Sequence, residues 1–167
     1  AESLTASVRF GDAIWTSAEH YVKGQQHDKA LRQLDTFIAT HPTRFLPTAL
    51  VLRGKTLMSL GKFPEAIQSF EEVIANHGTD VSALQADYLI GKCYLEQKEP
   101  EKAEKRWRQI LQNPRLKPDA MEWQLSLLGV ANVRFNEAEK IYVAAEVARR
   151  VNETRLHGER LKDAESK

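Results

Sequence analysis

Apolar residues recur along this chain at three- and four-residue spacing, the period of helices that bury one face. Ile14, Ala18 and Tyr21 share such a face, which predicts a first helix over about 5–23, closed by Gly24. Ala30, Leu31, Leu34, Phe37 and Ile38 form a wider stripe on a second helix that Asp28 can cap and Pro42 stops. A third helix is predicted from residue 46 or 47 to 60, since proline suits a first turn, and Gly61 supplies a left-handed end. Pro64 opens a fourth helix, on which Ala66, Ile67, Phe70, Val73 and Ile74 repeat the stripe until Gly78. Thr79 or Asp80 caps a fifth that runs to about Gln97, and Pro100 starts a sixth with Ala103, Trp107, Ile110 and Leu111 inward. Residues 113–118 then form the clearest turn.

Beyond Asp119 the only glycines are Gly129 and Gly158, and no proline follows. Two arrangements fit: a helix pair that breaks near 132–136, or one long helix. The run Arg134-Phe135-Asn136-Glu137-Ala138 matches Lys62-Phe63-Pro64-Glu65-Ala66 in residue type, which favours the pair. From Arg149 onward the chain is mostly charged and reads as a helical extension fraying into a tail.

The second-helix alanines Ala30, Ala66, Ala103 and Ala138 are separated by 36, 37 and 35 residues, a period that indicates stacked helix pairs. Around them, Ile14, Ala18, Tyr21, Ala30, Leu34 and Pro42 make a first unit; Leu50, Gly54, Leu57, Ala66 and Phe70 a second; Gly91, Tyr94, Ala103 and Trp107 a third. These residues resemble the tetratricopeptide repeat. Gly78 stands where that pattern has proline, Pro114 comes one residue early, and Asp87 replaces an apolar residue. A fourth repeat keeps Ala138 and Tyr142, with Ser126 as its small first-helix position. The resemblance implies an all-α, right-handed superhelical solenoid of antiparallel helix pairs. It is read as one domain over 1–167, with repeats at about 11–44, 47–80, 84–117 and 119–151, and 152–167 as extension or tail.

Composition adds mainly exclusions. With 24 Lys and Arg against 23 Asp and Glu, no net field selects nucleic acid or an anionic membrane. No apolar run reaches the ~18 residues of a membrane span. The basic face of the sixth helix is interrupted by Glu101 and Glu104, which reads as a solvated surface. Cys93, the single cysteine, reads as a half-buried small hydrophobe. Gly54-Lys55-Thr56 lacks the earlier glycine of a phosphate loop, Ala49 standing in its place. The five histidines show no zinc spacing; His41 and His77, 36 apart, read as second-helix ends. No cofactor, no metal and no catalysis are therefore expected, and neither nucleic acid nor direct membrane insertion.

The family resemblance implies that first helices line a concave groove that binds a peptide or partner helix. Alignment on the four alanines puts Trp15, Val51, Tyr88 and Trp123 in one groove row and Glu19, Lys55, Lys92 and Leu127 in the next. Aromatic anchors beside two lysines suit an apolar segment that carries acidic groups. The positions that in this family clamp a chaperone's C-terminal carboxylate hold Trp15, Glu19, Leu52, Gln85 and Leu89, and none matches. The reading is a non-catalytic interaction module or scaffold. Its rivals are a regulatory or structural segment of a larger enzyme or envelope assembly, and a nucleic-acid binder. The long repeats and the Pro47-Thr48-Ala49-Leu50 opening also look like tetratricopeptide proteins of the bacterial envelope, and Ala1-Glu2 suits a processed start. Both favour a bacterial extracytoplasmic location over a cytoplasmic one, and the same start equally fits a chain cut from a longer protein.

Overall fold

The computed structural model describes residues 2–40, 42, 45–114 and 116–165, with side chains from Phe10 to Arg160. His41 and Arg115 lie outside the described residues, and with His41 the expectation that it ends a second helix. The chain is helical, with α1 (Glu2–Lys23), α2 (His27–Ala39), α3 (Leu46–Ser59), α4 (Phe63–Asn76), α5 (Val81–Glu96), α6 (Pro100–Leu111) and α7 (Met121–Glu165), and no strand among the described residues. It divides into two compact units, Ala1–Gly129 and Val130–Lys167.

In the first unit each helix from α1 to α5 packs on the next, and α3 also touches α5. The reversals inside the pairs follow one design. Gln25, Gly61 and Lys98 adopt φ of 55°, 72° and 64°. The next residue then donates its N–H to a carbonyl five back: Gln26 to Tyr21, Lys62 to Leu57 and Glu99 to Tyr94, all at 2.9 Å. This is the Schellman termination, which satisfies carbonyls that the helix end leaves open and needs one left-handed residue. The same register places Val133 at the fourth such position. A β-branched side chain is strongly disfavoured at positive φ, and α7 runs on as one helix. The helix pair expected to break near 132–136 is thus not formed, because the residue matching Gly61 resists the turn.

Small residues of the first helices meet large residues sixteen positions later. Ala18 shares a core cluster with Leu34; a Cβ on Gly54 would overlap the Phe70 ring, and one on Gly91 the Trp107 indole. Trp107 is held from a second side by Gly129, where a Cβ would lie 2.6 Å from Cε3. Ser126 is buried and donates to the Glu122 carbonyl at 2.6 Å. Tyr142, sixteen residues on, is 71% exposed.

Polar groups tie the pairs together. Arg53 of α3 reaches Asp35 of α2 at 2.6 Å and Ser69 of α4 at 2.5 Å. Asp87, out of place by sequence pattern, forms an ion pair with Arg106 of α6. Burial outweighs that pairing and pushes its carboxyl above the ordinary range. On α6, Lys102, Lys105 and Arg108 are exposed, as a solvated face expects, while Glu104 of that face is buried, bound to Arg108 at 2.5 Å. Asp80 caps α5 by accepting from the Ser82 N–H at 2.7 Å, whereas Asp28 lies within the first turn of α2 and does not cap it. Cys93 is wholly rather than half buried in the α3–α5 core, and that burial pushes its thiol up to about 12.

The second unit is the helical stretch of α7 from 130 onward. Phe135, Ile141, Tyr142, Val143, Val147 and Val151 are exposed there. No helix among the described residues is long and apolar enough to cross a membrane.

Candidate functional site

The residues singled out from the sequence all fall in the first unit, on α1, α3, α5 and the first two turns of α7. They do not form the even row that spacing suggests. Trp15 is half-buried, its ring 5.4 Å from Phe37 and stacked on Phe45 at 5.4 Å with 7° between planes. Phe45 escaped sequence reasoning. It precedes α3 with φ 65°, a left-handed conformation unusual for a bulky side chain, and no periodicity signals it. A sequence scan could have caught it only as an aromatic just before the Leu46-Pro47 helix start.

Val51 is 3% exposed and belongs to the core, beneath the row rather than on it. The helix carrying it is flanked by α2, α4 and α5, so a position one turn from Lys55 faces neighbours instead of solvent. Tyr88 is half-buried, its ring 6.0 Å from Trp107, and its own carbonyl accepts from Trp107 Nε1 at 3.1 Å. Burial raises its phenol pKa. Trp123 is half-buried too, donating Nε1–H to the Leu111 carbonyl at 3.3 Å. Both indoles therefore have their polar atoms committed to the fold.

In the second row Glu19 and Lys55 are half-buried, while Lys92 and Leu127 are exposed. Lys55 and Lys92 are brought together: burial first, and the charge of Lys92 second, lower the pKa of Lys55. Among the described residues no carboxylate pairs with either lysine. An ammonium disfavoured by desolvation and by a like charge gains from an incoming anion, because the anion relieves both penalties. The arrangement thus combines two partly covered aromatic faces, at Trp15 and Tyr88, with a cationic pair one turn from Tyr88.

Residues 51–120 match the model of the tetratricopeptide repeat family. No curated protein matches the sequence. Among solved structures, the Yersinia enterocolitica type III secretion chaperone SycD, in complex with a peptide of the translocator YopD, is similar at 12% identity and TM-score 0.63, over 82% of this chain and 96% of that one. The TPR domain of Arabidopsis OM64 is similar at 17% identity and TM-score 0.60, over 77% and 97%. The first TPR of Spaghetti (RPAP3), bound to an HSP90 peptide, is similar at 16% identity and TM-score 0.59, over 77% and 95%. At these identities the likeness establishes the fold: the expected right-handed solenoid of antiparallel helix pairs.

Proposed function

From the premise that this chain carries tetratricopeptide repeats in a tetratricopeptide-type solenoid, we propose that it is a non-catalytic protein-interaction module. The partner is a peptide or helix laid along α1, α3 and α5, with an apolar side chain against Trp15 or Tyr88 and an acidic group over Lys55 and Lys92. The observation that carries this reading is Lys55, a half-buried cation next to a second cation, with no carboxylate paired to it among the described residues. Two similar folds in complex with peptides, SycD and RPAP3, support a peptide as ligand class. The absence of the carboxylate-clamp residues at Trp15, Glu19, Leu52, Gln85 and Leu89 argues for an internal acidic segment rather than a C-terminal carboxylate. Glu19, at the lysine position of the first repeat, orients such a segment with its acidic part over the second and third repeats.

The test is a titration of labelled peptides that pair an apolar anchor with acidic residues, followed by anisotropy and by tryptophan emission. Tyr88→Ala should weaken binding by about 2 kcal/mol, as truncated aromatic anchors do, and Lys92→Ala by less. Lys55→Glu with Lys92→Glu should chiefly slow association, since rim charges act on encounter. Binding of the parent and all three variants with equal affinity and rate would remove this face from consideration. Affinity for nucleic acid that falls steeply with salt would instead favour the nucleic-acid rival.

A further inference from the structure

Residues 141–148 of α7 include a single charged side chain, Glu146, and their apolar side chains lie open. A helix apolar around most of its circumference belongs in a core or against another chain. Val143, Val147 and Val151 follow one another at one-turn spacing and are between 55% and 64% exposed. Ala144 and Ala148 beside them leave room for a second backbone to approach.

The charges on the two sides of Val147 differ in sign. Within 137–158, Glu137, Glu139 and Glu146 outnumber Lys140 before it, and Arg149, Arg150 and Arg155 outnumber Glu153 after it. A parallel second copy would set like charge against like. An antiparallel copy sets the acidic half over the basic half at both ends at once, which is the self-complementarity that a two-fold interface requires.

We propose that α7 from 137 to 158 is the interface of a homodimer whose two copies pair antiparallel about Val147. Symmetry then brings Val143 of each copy to Val151 of the other. Glu137 and Arg155 lie on the same flank of the valine row and nearly equidistant from its centre, so each Glu137 meets the Arg155 of the second copy. At the end of the row a shallow hollow lined by Val151, Thr154 and Gly158, with nothing close to Gly158, receives the incoming helix. Within one chain Glu137 pairs with Arg134 at 2.9 Å and Arg155 with Glu159 at 3.2 Å, surface pairs of small worth that exchange readily.

Sedimentation equilibrium of the full chain decides the matter. Over about 1–100 µM, the range of moderate dimer affinities, the mass should rise from that of one 19.0 kDa chain to that of two. Val147→Glu places a charge at the centre of the pair and should hold the mass at 19.0 kDa throughout. Glu137→Arg and Arg155→Glu should each shift dimerisation to about tenfold higher concentration, and together restore it. A wild-type chain that stays single leaves the row to a foreign helix and overturns the proposal. So does a dimer indifferent to Val147→Glu, or a double reversal no better than its parts.

Discussion

Residues of extreme size set the spacing of this solenoid. Trp107 replaces the Leu34 and Phe70 of earlier pairs, and its larger ring is accommodated by Gly91 on one side and Gly129 on the other. Gly91→Leu should therefore destabilise the first unit by about 1–3 kcal/mol, the usual range for overpacking, as read from the midpoint of urea unfolding. Gly91 was legible in the sequence because it repeats Gly54 at the family position. Gly129 was not, since the alignment assigned the small position to Ser126 and only the size of Trp107 requires a second glycine. Val51 shows the other limit of a linear reading: periodicity finds the buried stripe of α3, but not that α5 closes over a neighbouring position.

At the scale of helices, the three reversals are made by unlike residues, Gln25, Gly61 and Lys98, in one conformation. Composition alone identifies just the glycine; the repeat period locates the other two. The fourth reversal fails although residues 134–138 imitate the opening of α4 in type, because the decision belongs to Val133, the residue before that run. Val133→Gly should weaken α7 locally by about 1 kcal/mol and allow left-handed backbone there. Hydrogen exchange should show faster exchange around 130–136 with little change in α3–α5; equal protection would mean that another interaction keeps α7 straight.

On the scale of the whole chain, the core of the first unit was legible because its three pairs obey one rule of turn and one rule of size. The candidate face was legible in part: Tyr88, Lys55 and Lys92 came from register, whereas the Trp15–Phe45 stack depends on a backbone conformation that no residue pattern announces. The single cysteine at the centre of that core turns the molecule into its own clock. The folded-state pKa of Cys93 is raised to about 12, above the ordinary 9.0, so the neutral thiol favours the fold. That contribution is fully present below pH 9.0 and is lost as pH climbs toward 12. At neutral pH a thiol reagent can reach Cys93 only when α3, α4 and α5 part, so its rate of modification reports how often the core opens. The rate should equal that of an exposed cysteine multiplied by the open fraction, slowing about tenfold for each 1.4 kcal/mol of added stability. Gly91→Leu should accelerate it by that same factor, about tenfold for each 1.4 kcal/mol lost, and Val147→Glu should leave it unchanged.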